Sequence, residues 1–300
     1  MTNSLLTLFL PIIIGYILVK IKYLNSSLSR DIKLFVIRVA VPARIFTSML
    51  ETNLETIKQI LPLSISYVLL TFLLILSTFF VFFKVKDNRT RAAYMIAITF
   101  GNYGYMGWAV LNQALGPEGL TRGVFFTSLW WPILYAGSFF IAKLTKVNSK
   151  LSIKSYILNM TVPTAILVVG IVVNLTKLQI YSPVLLTIAK FGDMTVTLIL
   201  FSVGLTISFK DGFSYLKMAL APILLRPLLG VLCAYITILV IGIDDPLSRS
   251  TVLIESTMPV AVLSVVIGDM LGLDEKLLSS ILVLSTLLSL LTIPLSILLF

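Results

Sequence analysis

The sequence contains no histidine and a single cysteine among its 300 residues. Without His there is no imidazole to ligate a metal, no HExxH metalloprotease helix, and no side chain that ordinarily titrates near neutral pH. The lone Cys233, inside an apolar run, excludes an intrachain disulfide. Charge is scarce as well: 12% of residues are Asp, Glu, Lys or Arg against 58% apolar, and the mean hydropathy is +1.05. So little polar surface cannot cover a soluble globule of this length, and the chain reads as a polytopic protein of the lipid bilayer. Acid is the scarcer sign, 13 residues against 23 Lys and Arg. In a soluble protein the formal charge of +10 would point to nucleic acid. Here no nucleic-acid partner is needed, because cytoplasmic loops of membrane proteins carry excess Lys and Arg.

Apolar runs fall at about 4–22, 31–50, 57–83, 92–112, 120–142, 154–174, 182–208, 214–241, 248–270 and 275–299. The first has no positive region before it and no small-residue cleavage site after it, so it reads as a retained helix. The expected fold class is therefore an all-α integral membrane protein of ten transmembrane helices. Alternate loops hold fifteen Lys and Arg and the others only Lys58, Arg122, Lys177 and Arg249. Under the positive-inside rule that places both termini outside the cell membrane. The halves also resemble each other at a shift of about 155 residues: Gly15 over Gly170, VPARIF (41–46) over VTLILF (196–201), ALGPEG (114–119) over MLGLDE (270–275). Five spans per half make the second half an inverted repeat. The expected division is 1–146 for the first repeat, 147–153 for a cytoplasmic linker and 154–300 for the second.

Two spans carry interruptions. Gly101-Asn102-Tyr103-Gly104-Tyr105-Met106-Gly107 puts three glycines and an asparagine in the fourth. Each Gly costs a helix interior about 1 kcal/mol, and open backbone at membrane depth requires protein or a water-filled cavity around it. Glu255-Ser256-Thr257-Met258-Pro259 interrupts the ninth. Asn102 lies eleven residues past Arg91 and Pro259 eleven past Ser248, which is about 16 Å of helix against a half-bilayer of about 15 Å. Paired breaks at the midplane of two repeats mark a transporter binding site.

The candidate substrate-binding residues are accordingly Asn102, Tyr103, Gly104, Met258, Pro259 and Arg44. Half-helix amino ends present unpaired N–H groups and positive partial charge, which suit a carboxylate; the alternative for Asn102 is an amide that glues two helices together. Arg44, just after Pro42, can grip a carboxylate bidentately. For ion coupling the candidates are Glu255, Thr99 and Asp193. An ionisable group at the depth of Glu255 is functional by default. It could bind Na⁺, carry a proton, or pair with Arg226 of the eighth span. Asp193 is expected to pair with Lys190, one helical turn away. Tyr103 is central, while Tyr105, Trp108, Trp130 and Trp131 read as lining or interface aromatics.

GNYGYMGWAV (101–110), VPARIF (41–46) and TMPVAV (257–262), in that order within ten spans, resemble the auxin efflux carrier family of membrane transporters. This chain has Ala109 where helix four of the family usually carries a proline, and it lacks the long central loop of plant members. The resemblance implies a scaffold of helices one, two, six and seven and a core of helices three to five and eight to ten, with helices four and nine crossing. It also implies alternating-access transport of a small organic anion, no cofactor, and a homodimer formed through the scaffold. The related bile-acid sodium symporters share the crossing, and their glutamate resembles Glu255, so H⁺ and Na⁺ both stand as coupling ions. The competing class is an intramembrane protease or a receptor. Gly192-Asp193 and Gly268-Asp269 lack the first Gly of a GxGD site, with Lys190 and Val266 in its place. Paired catalytic carboxylates need both motifs complete.

Overall fold

The computed structural model describes residues 2–51, 54–147, 165–166, 168–206 and 215–300. All but the first residue of the expected linker at 147–153, and most of the sixth apolar run, lie outside them. The elements are helices: α1 (Thr2–Lys20), α2 (Leu28–Phe35), α3 (Val41–Glu51), α4 (Leu54–Val81), α5 (Asn88–Thr99), α6 (Trp108–Phe126), α7 (Trp130–Leu144), α8 (Ser182–Thr206), α9 (Leu216–Ile241), α10 (Pro246–Ser256), α11 (Leu263–Met270) and α12 (Glu275–Leu299). Residues 168–176 are helical too. Two five-residue π-helical turns, Val36–Ala40 and Tyr103–Gly107, lead into α3 and α6. A backbone in hydrocarbon must satisfy its own amides, and helices do so within one segment.

Among the described residues four helical stretches are long and apolar enough to cross a membrane: Leu61–Val81, Ser182–Ser202, Leu216–Ile241 and Lys276–Leu299. Shorter apolar helices cover Leu10–Lys20 and Pro132–Leu144. Large apolar side chains such as Phe72, Phe80, Leu228, Leu239 and Leu291 are exposed along α4, α9 and α12. Water would penalise so much open apolar area and lipid does not, so the chain is a multi-pass membrane protein.

Aspartates start the helices that lead to the two interruptions. Asp87 caps α5 by accepting from the Thr90 amide and hydroxyl, and Asp245 caps α10 by accepting from those of Ser248. The Thr90 hydroxyl, foremost, holds the Asp87 carboxyl below its ordinary range. Burial works to raise that of Asp245, but hydrogen bonds from Ser248 and Arg122 outweigh it and hold it low. Arg122, almost fully buried, joins Asp245 at 3.0 Å and Glu118 at 3.2 Å, which ties α6 to the start of α10. Gly116, at φ +69°, bends α6 just before Pro117, a backbone state that a side chain would strain.

Packing gathers the helices into two groups. In one, α1, α2 and α3 lie against α8. Gly15 and Gly204 let the α1 and α8 backbones touch: a Cβ at Gly204 would strike the Ile12 carbonyl, and one at Gly15 the Phe201 carbonyl. In the other, α4 packs on α6 and α9, α5 on α4 and α9, α10 on α6 and α9, and α12 on α9 and α11.

Candidate functional site

Both interruptions are real breaks, and they lie against each other. α5 ends at Thr99 and α10 at Ser256, and the chain between each end and the next turn runs non-helically. Unpaired backbone amides at membrane depth need partners, and the two breaks supply them mutually. The Asn102 amide donates to the Pro259 carbonyl at 2.7 Å, the Ala261 amide donates to the Phe100 carbonyl at 2.9 Å, and Gly101 and Val260 form an antiparallel bridge. The Asn102 carbonyl accepts from the amides of Met106 and Gly107, which starts the π turn. The Val260 amide donates to the Ser285 hydroxyl of α12.

Beside this junction lies a cleft of about 540 Å³, counting the space where it opens outward. Val41 and Ile45 of α3 form one wall; Asn102, Gly104, Trp108, Val124 and Leu263 are among the residues of the other. The cleft thus sits between the two packed groups. Among the described residues that line it none is charged, and Asn102, Thr127 and Ser128 supply the polar side chains. The Trp108 indole is oriented by donating to the Thr127 hydroxyl at 3.0 Å. Asn102 Oδ1 is buried without a partner, a cost of about 1–3 kcal/mol unless something donates to it. The π turn begins at Tyr103 and α11 at Leu263 beside it, where the Ser264 and Val265 amides donate to the carbonyls of Ala261 and Val262.

A second, more polar cleft of about 740 Å³ adjoins it, lined by Arg44, Asn112, Gln113, Gly192, Asp193, Thr195 and Thr197 among others, and Trp108 belongs to both. Here the sequence expectation for Asp193 is corrected. Asp193 pairs with Arg44 at 3.1 Å, not with Lys190. α3 and α8 approach so closely that a Cβ at Gly192 would meet the Arg44 backbone at 3.0 Å, which brings the guanidinium to the carboxylate. Arg44 therefore lines the polar cleft and not the one at Asn102.

The other expected residues divide. Asn102 and Gly104 line the inner cleft. Pro259 contributes its carbonyl to the junction, and Met258 is fully buried. Tyr103 is buried too, its ring edge-on to Tyr67 and Phe126 and its hydroxyl accepting from Arg226 at 2.8 Å. Thr99 is buried with its hydroxyl unpartnered. Glu255 is fully buried, and neither of its oxygens has a hydrogen-bond partner; it makes no ion pair with Arg226. The sequence reading passed over Val41, Ile45, Thr127 and Ser128. Their signal was slight, although Val41 and Ile45 belong to the VPARIF motif. Trp108 stood in view right after the last glycine of the break, where it read as either a lining residue or an interface anchor.

Comparison with known proteins gives the class. The chain matches the membrane transport protein family over residues 1–155 and 146–297, nearly its whole length. The chain belongs to that family, the auxin efflux carriers and their relatives. It is 24% identical to an uncharacterized transporter of Methanothermobacter thermautotrophicus and 26% identical to one of Methanocaldococcus jannaschii. Each alignment covers 98% of this chain and 96% of the relative. This membrane transport protein thus aligns with archaeal relatives over nearly the whole of both chains.

Proposed function

We propose that this membrane transport protein is a secondary carrier that moves a small organic anion with a carboxylate across the cell membrane by alternating access. One observation carries the reading: two broken helices bonded to each other place Asn102 and two half-helix amino ends on a cleft between two packed helix groups. Amino ends attract negative charge and aim N–H donors at it. Asn102 then donates from its side-chain amide nitrogen to the carboxylate while its Oδ1 accepts from a hydroxyl of the solute or a bound water, and Val41, Ile45 and Leu263 enclose the carbon chain. In this reading the α4–α7 and α9–α12 group is the moving core, the α1–α3 and α8 group the scaffold, and sliding between them opens the cleft to either side.

The same proposal includes ten spans in two inverted repeats, crossing helices four and nine, both termini outside, and a homodimer through the scaffold. The aspartate caps favour the repeat, since Asp87 and Asp245 stand 158 positions apart and start the two broken helices alike. The test is reconstitution into liposomes and uptake of a panel of radiolabelled mono- and dicarboxylates. At least one is expected to exchange against its unlabelled form. Uptake no greater than in protein-free liposomes across carboxylates, combined with exchange of a neutral or cationic solute, would overturn the anion reading.

A further inference from the structure

Behind the cleft wall lie two groups that solute binding does not use. Glu255 is 0% exposed with both oxygens unpartnered. Arg226, on α9 between Pro222 and Pro227, is 1% exposed and donates from Nη2 to the Tyr103 hydroxyl, while Nε and Nη1 have no partner. The guanidinium exerts its field on Glu255 without touching it. Glycines make the room for both: a Cβ at Gly107 would overlap the Glu255 carboxylate, and one at Gly101 would overlap Arg226. A Cβ at Gly123 would lie 3.4 Å from Glu255 Oε1 and 3.2 Å from the Trp108 ring. Glu255 and the indole of the cleft wall thus both border the place where Gly123 has no side chain.

A charged carboxylate in so dry a place would need donors, and Arg226 has two nitrogens unused. That the two stay apart, with Arg226 turned to a phenol, is the arrangement of a neutral acid. A metal cation fits poorly. It needs several oxygen ligands, no group of three His, Cys, Asp or Glu occurs among the described residues, and the guanidinium would repel it. The remaining titratable groups facing Glu255 are Tyr103 from the π turn and Tyr67 from α4. Arg122 of α6 is directed to Asp245, and α12 carries no charge from Leu277 onward.

We propose that Glu255 is a proton-binding site, and that Arg226 switches between Tyr103 when Glu255 is protonated and the Glu255 carboxylate when it is not. On release, the Glu255 O–H bond breaks, the proton passes to water admitted from the cleft, and Arg226 leaves the Tyr103 hydroxyl to bond the carboxylate. Tyr103 follows Asn102 in the chain, so the exchange reaches the floor of the cleft. The coupling of this proton to solute rests on the carrier reading; the proton site itself does not.

Infrared difference spectroscopy of the purified protein in nanodiscs, titrated with acid and base and with no solute added, tests it. A protonated-carboxyl C=O band that titrates in wild type is expected to vanish in Glu255→Gln. In Tyr103→Phe, which retains Glu255 and frees Arg226, the band should persist and its titration should be displaced. A band absent at every pH, or one that survives in Glu255→Gln, would overturn the proton site, and an undisplaced titration in Tyr103→Phe would overturn the switch. Stabilisation by NaCl over choline chloride that disappears in Glu255→Gln would assign the site to Na⁺ instead. Titration of the band in a protein that transports nothing would sink the carrier reading alone, whereas uptake without the band would sink this one alone.

Discussion

Asn102→Ala separates a solute-binding amide from a structural one by the sign and size of two effects. The Asn102 Oδ1 is buried without a partner, and an orphaned acceptor costs about 1–3 kcal/mol. Removing it relieves that cost, and the vacated space adjoins an existing cleft, so little new cavity is made. Any helix-bridging bond from the amide contributes on average about 0.6 kcal/mol in membrane proteins. The solute-free variant is therefore expected within about 1 kcal/mol of wild type, with a lean towards greater stability. Ligand at a hundred times its Kd stabilises the wild type by about 2.7 kcal/mol. Losing the hydrogen bond that the Asn102 side-chain amide nitrogen donates to the carboxylate costs about 2 kcal/mol, a roughly thirtyfold weaker Kd. The same concentration then stands near three times Kd and stabilises the variant by only about 0.8 kcal/mol. Detergent-denaturation curves with and without the best carboxylate from the uptake panel measure both quantities. A folded variant that keeps the whole ligand effect would move the binding site elsewhere, and a loss of more than about 2 kcal/mol without ligand would make the amide structural.

Asp245→Ala removes the α10 cap and leaves Arg122 with Glu118 alone; about 2–3 kcal/mol of stability should go, whereas Asp245→Asn, which keeps a capping oxygen, should lose less in the same denaturation assay. Because the folded Asp245 carboxyl is held below its ordinary range, its contribution is complete above the unfolded pKa of about 3.9 and disappears as pH falls through the lower folded value, so the wild-type-to-Ala difference should be flat from pH 5 to 8 and shrink only below about pH 4. Gly204→Ala drives a methyl into the Ile12 carbonyl, where backbone cannot yield as a side-chain tip would; destabilisation of about 1–3 kcal/mol is expected, read as a lower unfolding midpoint. Lys146 is exposed after α7 on the basic side. In a Cys233→Ser background, Lys146→Cys should resist an impermeant maleimide in sealed cells and label after permeabilisation, and labelling in sealed cells would reverse the topology.

The breaks were legible because what makes them is local: three glycines and an asparagine within seven residues leave a helix few ways to continue. That the breaks bond to each other was legible only as a pairing by depth, since the Asn102–Pro259 bond joins residues 157 positions apart. Arg44 and Asp193 show the limit of local reasoning. Lys190 is the neighbour that helical spacing offers Asp193, yet Arg44, 149 residues away, takes it because Gly192 lets α3 come close. The separation of Glu255 from Arg226 could not be read at all. Each is an isolated charge in an apolar run, which left pairing as one of three readings, and the structure has Arg226 bonded to Tyr103 instead. Trp108 was hidden for another reason: a tryptophan in a membrane span has an ordinary interfacial use, and only the fold shows it standing between two clefts.

The junction of the breaks has an electrical shape of its own. Two helices, α5 and α10, bring their carbonyl ends to it, and two, the π turn leading into α6 and α11, bring their amide ends. Four macrodipole poles, two of each sign, form a quadrupole, whose field decays faster with distance than that of a single helix end. Arg44 is held by Asp193 and adds little reach, so the charge left to act at a distance is that of Arg226, bonded to Tyr103 behind the junction. The helix ends would then act by fit at contact range, and any response of capture to ionic strength would be carried by Arg226.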